Sequence, residues 1–541
     1  MFINFSDIPG HQNLFLDYLY EFNNLKSFYK YNFRDREEYS RLFQVISESP
    51  RASCGVLPDI ITNQYDGRKI SPKTAKNISL LKSKKTLAVV TGQQLGILGG
   101  PMYTIYKIIT AVKLSKHLSE RYEDYEFVPV FWLEGDDHDF DEISSINLIN
   151  DENELVNIQY KDSTVEDVNR GSMGYQKIQN TISSFFEEIN TILRKTDYKK
   201  EILENLKSFY SEGRTFKQAF FDLLFWLFDQ QGLIIFDPQD KNIKNMLIPV
   251  FKKEIADFRE HTTKIVNVSA TLEELYHAQV KIRPVNLFYN YEEGRYLIEP
   301  VDNEFRLRGK RKKFTFEELN STIEKEPEKF SPNVLLRPIC QDYILPTAFY
   351  VGGPSEIAYF AQVMPLYPIF NIAPPIIYPR SSASLVEKNI NSLIEKFDLK
   401  WHDIFTDPEK LKDKVISKLS EGLIEELFKK SAYEMELIFD GLQEKLFEID
   451  KTMSETGNKF KQNSLNSLSS LKVKAIEAQK KKYEITLRQV DKITMNLYPG
   501  KNLQEREINF IYYANKYGLE IIDRIIEELE INVFEHQIIY L

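Results

Sequence analysis

The spacing of apolar positions changes along the chain, and each change marks a different kind of element. Over residues 1–85, the leucine and aromatic positions of LFLDYLYEFNNLKSFY return at helical spacing, which predicts a helical lead-in. An apolar run at 87–90 predicts a buried strand. A glycine-rich loop, a helix from Met102 and a second apolar strand at 128–133 follow. Strand, helix, strand with polar loops after both strands is a βαβ unit, and the rest of the chain is organised around this stretch, 86–146. Short alternation in LVNIQY predicts a peripheral strand or hairpin within 151–162. Residues 185–228 read as two helices, running into GLIIFDP, which predicts a further central strand; 241–275 is again helical. The stretch from HAQVKIRPVNLFYNYEEGRYLIEPVD to RLRGKRKKF reads as a β-rich insertion with a solvated basic hairpin tip. Residues 332–380 return to the core, with a β-type run before Gly352-Gly353-Pro354 and a helix after it.

From about 385 to 497, glycine and proline thin out. Met435, Ile438, Leu442, Leu446, Ile449 and Met453 step by three and four residues, as do Tyr483, Leu487, Val490, Thr494 and Leu497. That is a heptad seam, and its interruption at Glu455-Thr456-Gly457-Asn458 predicts an antiparallel helical hairpin. An exposed seam of this length predicts a homodimer through the arm. The tail opens on YPG, and the aromatic density of REINFIYYANKYG predicts docking back on the body. The domain reading is a helical lead-in with the first half of the core (1–150), a connecting insertion (151–230) and a core continuation (231–275). Then come a β-rich insertion (276–330), the second half of the core (331–384), the helical arm (385–497) and the tail (498–541).

Composition narrows the function. At 541 residues the chain is too long for one ordinary core, and a net charge of −10 argues against nucleic acid as a partner. Cys54 and Cys340 are too few for a disulfide framework or a four-thiolate zinc site, and no zinc site is legible. No secretory signal and no bilayer-spanning apolar stretch is visible, so the expectation is a soluble, cytoplasmic protein without a membrane partner.

The candidate chemistry gathers at the strand ends. Glu134, Asp136, Asp137, His138, Asp139 and Asp141 form an acidic loop directly after the second strand. Such a loop can hold a metal, orient an amine or act as a general base. Asp136, Asp137 and His138 are the catalytic candidates. Gly99-Gly100-Pro101 precedes a helix, where free N–H groups and the dipole favour an anion; Gly92, Gln93, Gln94, Thr104 and Lys107 lie around that nest. Gly352 and Gly353, with Glu356 just beyond, repeat the arrangement, which predicts a pair of helix N-termini facing one cleft. Arg337, Gln341 and Asp342 form a second polar set. Arg380, Ser381 and Ser382 read as a mobile phosphate-binding loop, and Arg506 in the tail is a further binding candidate. No P-loop, dinucleotide fingerprint or protease-like motif is present, and no metal site is assigned.

TGQQLGILGGPMYTIYKI, VFWLEGDDHDFDE, HAQVKIRPVNLFY, LRPICQDYILPTAFYVGGPSEIAYFAQ and NLYPGKNLQEREINFIYYANKYG together resemble the BshC family of bacillithiol-biosynthesis, cysteine-adding enzymes, in order along nearly the whole chain. The resemblance implies attachment of L-cysteine to the glucosamine nitrogen of glucosaminyl-malate, the last step in making bacillithiol. It also implies an α/β fold with a Rossmann-like core resembling class I aminoacyl-tRNA synthetases, β-rich insertions and a C-terminal antiparallel coiled coil that dimerises. The chain departs from those synthetases in having no histidine over Gly99–Thr104 and no lysine-rich KMSKS loop.

The reading is therefore an amide-forming ligase. Because carboxylate oxygen is a poor leaving group, ATP is expected, to make an adenylate or acyl phosphate; a magnesium requirement is left open. Another nucleotide-dependent transferase on the same core, or a non-catalytic nucleotide-sensing scaffold with a dimerising coiled coil, stands beside it.

Overall fold

The computed structural model describes residues 1–50, 55–164, 169–420 and 423–541; Cys54 lies outside the described residues. The chain forms two compact units, residues 1–384 with 504–539, and residues 385–503 with 540–541.

The first unit is built on a five-stranded sheet: β1 (Thr86–Gln94), β2 (Glu126–Glu134), β3 (Ile234–Phe236), β4 (Thr347–Gly352) and β5 (Ile376–Pro379). The spatial order is β5-β4-β1-β2-β3 and every pairing is parallel. Strands of such a sheet are covered on both faces, which is why TLAVVTG and FVPVFWL are unbroken apolar runs. Both strands are longer than predicted, because their pairing continues in register from Thr86 opposite Glu126 to Gln94 opposite Glu134. The GLIIFDP strand exists but stands at an edge of the sheet, not its centre. It is fully buried all the same, since helices Pro72–Leu80 and Phe216–Phe228 pack against it. Residues 185–228 belong to three helices, Ile182–Ile192, Lys199–Phe209 and Phe216–Phe228. The additional break arises where Thr215 and Gln218 form a capping box.

The helices that shape the site are α1 (Tyr103–Arg121), α2 (Lys241–Met246), α3 (Ile248–Leu275), α4 (Arg337–Ile344) and α5 (Pro354–Val363). Helix α1 carries the chain from β1 to β2 and is buried along most of its length, including Lys107. The LVNIQY alternation is a strand, 155–159, and its hairpin partner is 145–149, before the expected range. The β-rich insertion is a second, antiparallel sheet with the basic turn between strands Glu304–Leu307 and Lys313–Phe314. Its last strand, Phe330–Pro332, delivers the chain straight into α4.

In the second unit, α6 (Leu423–Ile449) and α7 (Lys451–Lys482) form an antiparallel hairpin, with Lys461 Nζ 2.6 Å from Asp440 and Gln443 bonded to Ser454. The turn falls at Asp450, not at Glu455–Asn458. The Asp450 carboxylate accepts from the Thr452 N–H at 2.8 Å and so caps α7, whereas Gly457 lies inside α7 where a small residue faces Leu446. Ile438, Leu442 and Ile449 of the seam remain exposed, at 63%, 49% and 77%.

Candidate functional site

A cavity of about 550 Å³ opens in the first unit at the carboxyl ends of β1, β2 and β4. Strand order reverses between β1 and β4, and a doubly wound sheet leaves its crevice at that switch point. Of the residues singled out in the sequence, Gly92, Gln93, Gln94, Lys107, Glu134, Asp137, His138, Arg337, Gly353, Glu356, Arg380 and Arg506 line it.

The acidic loop divides by burial. Glu134 ends β2 and faces the cavity, accepting from the Trp132 indole N–H at 3.2 Å, with Arg337 Nε 4.0 Å away. Burial, with the nearby Asp136 charge, raises its pKa from 4.5 to about 7. Asp136 is buried and turned from the cavity: its carboxylate meets Lys244 Nζ of α2 at 2.7 Å and the Gln239 amide at 2.8 Å. Burial alone would raise the pKa of Asp136, but Lys244 and Arg295 hold it below the ordinary range. Asp137 accepts from the Gln94 amide at 2.8 Å and from the His138 backbone N–H at 2.7 Å. Burial opposes ionisation there too, yet these bonds hold its carboxyl far below the usual range, which leaves a weak base. His138 is partly exposed, with Nδ1 3.3 Å from Arg295 Nη1.

Arg337 is held from behind. Its Nη1 donates to Gln341 at 3.0 Å and its Nη2 to Tyr359 at 2.7 Å. Gln341 in turn donates to Asp342, which accepts from Tyr367 at 2.6 Å and whose pKa burial raises to about 6. Gln341 and Asp342 therefore orient Arg337 and do not line the cavity.

Neither glycine triplet presents an open anion nest. Gly99 (φ +87°) and Gly100 (φ +65°) need their positive φ to make the turn into α1, but they are buried away from the cavity. The Asn509 amide donates to the Leu98 and Gly100 carbonyls at 2.9 and 2.6 Å, and the Met102 N–H bonds to Ile508. Thr104 is fully buried behind them. At the second triplet, Glu356 accepts from the Gly353 N–H at 2.8 Å, so the helix start is filled by its own carboxylate. Lys107 bonds the same carboxylate at 2.6 Å, and its other donors go to the Gly92 carbonyl at 2.5 Å and Gln93 at 3.0 Å. All three ammonium donors are thereby used. Gly352 lies within β4, its carbonyl accepting from the Arg380 N–H. Arg380 pairs with buried Glu505 at 2.6 Å, and Ser382 Oγ, at the start of the strand Ser382–Val386, is 2.7 Å from His536, so residues 380–382 form a short, pinned connection between two strands and not an open phosphate-binding loop.

Several lining residues were not foreseen. Arg295 is buried, stacks over Phe288 at 3.8 Å and donates to Ser331 and to the Pro332 carbonyl, each at 2.8 Å. Lys281 and Arg283 also line the cavity, beside the foreseen Arg506, and among the described residues no carboxylate pairs with any of these three. Lys281 and Arg283 lie in the quoted HAQVKIRPVNLFY stretch, so the signal was present in a segment that looked peripheral. Tyr103, Trp132, Glu142, Tyr350 and Tyr359 add to the polar and aromatic lining; their spacing carried no signal. Among the described residues there is no group of three or more histidine, cysteine and acidic side chains placed to hold a metal ion. Burial raises the pKa of the Cys340 thiol, leaving it protonated and unreactive.

Residues 1–381 match a family described as "Bacillithiol biosynthesis BshC, N-terminal Rossmann-like domain", and residues 383–541 match "Bacillithiol biosynthesis BshC, C-terminal coiled-coil domain". A relative from Chloroherpeton thalassium named "Putative cysteine ligase BshC" is 36% identical over 543 residues, covering 97% of this chain and 96% of its own. Relatives of the same name from Salinibacter ruber (32% identical; 97% and 96% covered) and Chlorobaculum tepidum (33%; 92% and 90%) are similar over nearly the same span.

Proposed function

The chain belongs to the BshC family of bacillithiol biosynthesis, and from that premise we propose that it joins the carboxyl of L-cysteine to the glucosamine nitrogen of glucosaminyl-malate, forming bacillithiol. The observation that carries the assignment to this cavity is Glu134, a carboxylate at a strand end facing the switch-point crevice, with its pKa raised to about 7. A base near neutrality takes a proton efficiently at working pH. When the sugar nitrogen bonds to the cysteine acyl carbon, that nitrogen must lose a proton, and the Glu134 carboxylate accepts it. Asp137, fixed in its charged form by Gln94 and His138, stays ionised and orients the ammonium of cysteine. Asp136, paired with Lys244, serves the fold.

Arg337, braced by Gln341 and Tyr359, offsets the charge that develops on the acyl oxygen. Lys281, Arg283 and Arg506 suit anionic groups, namely the two carboxylates of the malate unit and the phosphates of ATP. ATP fits through these side chains and not through the glycine turns, which are filled by Asn509 and Glu356. Bound there, ATP supplies the activation that makes cysteine's carboxyl oxygen a leaving group. The exposed seam of α6 and α7 supports a homodimer, and the absence among the described residues of a helix long and apolar enough to cross a membrane accompanies a cytoplasmic site of action.

Arg283→Gln and Arg506→Gln test the anion-binding half of this reading. Each should raise KM for glucosaminyl-malate or for ATP about tenfold, the loss expected from one charged hydrogen bond, while kcat changes far less. Unchanged KM for both substrates in both variants would refute it.

A further inference from the structure

A second hollow, of about 180 Å³, lies in the same unit beside the last turns of α1. Lys107 of the main cavity and Arg121 of this hollow are fourteen residues apart on α1, or about 21 Å at 1.5 Å per residue. It is therefore a separate place. Its wall carries Arg34 and Arg36 from the helical lead-in and His117 and Arg121 from α1.

The helix dipole accounts for basic residues at the end of α1. It does not account for Arg34 and Arg36, which reach the same hollow from another segment. Among the described residues, no carboxylate lines the hollow and none pairs with Arg36 or Arg121, in a chain with 80 acidic side chains against 70 basic ones. The charges crowd one another: His117 has its pKa lowered, first by burial and then by Arg36 and Arg121. Arg34 is preset. Its Nε and Nη2 donate to the Leu19 carbonyl at 3.2 and 3.1 Å, and the ring of Phe534 lies 4.5 Å from its guanidinium carbon. Of the three tyrosines in the wall, Tyr39 donates to the Phe33 carbonyl and Tyr378 to the Ile531 carbonyl at 2.8 Å, with Asn532 Oδ1 3.2 Å away, while Tyr122 adds a further hydroxyl. Asn532 and Tyr122 add neutral polar groups to the wall, and its charged side chains are arginines only.

From this convergence of arginines from two segments on a hollow that no carboxylate lines, we propose that the hollow is a binding site for a phosphate group, either free orthophosphate or the phosphate of a small metabolite. The hollow has about a third of the volume of the main cavity, room to enclose a phosphate group but not a whole nucleotide.

The test is calorimetric titration of the full-length protein with orthophosphate and, separately, with glycerol 3-phosphate, in low-salt buffer. The expected result is one saturable site for at least one of them. Binding should weaken at least tenfold in the Arg36→Gln/Arg121→Gln double variant and stay at parental strength in Lys281→Gln/Arg283→Gln, where the main cavity has lost charge instead. Tighter binding of the ester assigns the site to a metabolite, and tighter binding of orthophosphate to the free ion. No saturable binding by either, or parental binding in the Arg36/Arg121 variant with an unchanged melting curve, overturns the proposal.

Discussion

Replacing Glu134 by glutamine separates catalysis from stability in opposite directions. Glutamine keeps the shape and can still accept from the Trp132 indole, but it cannot take a proton. Losing a positioned base removes a factor of ~10² to ~10⁴ in rate. Stability moves the other way. A carboxyl with a raised folded pKa stabilises the fold below its unfolded value, and that stability is lost as pH rises through the folded value. The rise from 4.5 to about 7 corresponds, at about 1.4 kcal/mol per unit, to an upper bound of ~3 kcal/mol that ionised Glu134 costs the fold at pH 8. Glu134→Gln should therefore melt at the parental temperature or above it at pH 8 while amide formation falls at least a hundredfold. The acidic limb of the parental kcat/KM profile, expected near pH 7, should also disappear. Steady-state product formation and thermal denaturation on the same preparations decide it. A variant active within threefold of the parent, or one that loses activity and stability together, would refute the role given to Glu134.

Asp136→Asn leaves the buried Lys244 ammonium without its carboxylate and should destabilise the fold by ~3 to 5 kcal/mol in urea denaturation. Because the folded pKa of Asp136 is depressed, the parental contribution is present above the ordinary carboxylate range and fades as pH falls below it. Gly92→Ala would set a Cβ 2.9 Å from the Trp132 carbonyl, main chain that cannot yield cheaply, and should cost ~1 to 3 kcal/mol in the same assay. Ile438→Asp combined with Leu442→Asp on the exposed seam should turn a dimer into a monomer in light scattering; an unchanged mass would place the interface elsewhere.

The central strands were legible because parallel strands covered on both faces must be apolar throughout, and TLAVVTG and FVPVFWL are. Strand ends at a switch point are where crevices form, so Gln94, Glu134 and Gly353 could be placed from sequence alone. Which groups fill which donors could not. Asn509, about four hundred residues along the chain, covers the Gly99-Gly100 turn, and Glu356 answers both its own helix start and Lys107. An acidic loop also looks uniform as a string of letters. Burial by α2 turned Asp136 into a structural ion pair, and desolvation turned Glu134, not Asp137, into the group with a pKa near neutrality. Arg295 came from the insertion, where a buried arginine in an alternating strand gives no periodic sign. In the arm, the glycine at 457 looked like a break, but a one-residue turn capped by Asp450 was enough to reverse the chain.

The most direct test is to incubate the purified protein with L-cysteine, glucosaminyl-malate and ATP and to follow the products by mass spectrometry. The account predicts bacillithiol, formed in step with ATP consumption, dependent on all three substrates, and at least a hundredfold slower with Glu134→Gln. Bacillithiol made at the parental rate by the Glu134 variant, or a folded parent that consumes ATP with both other substrates present and forms no amide, would contradict it.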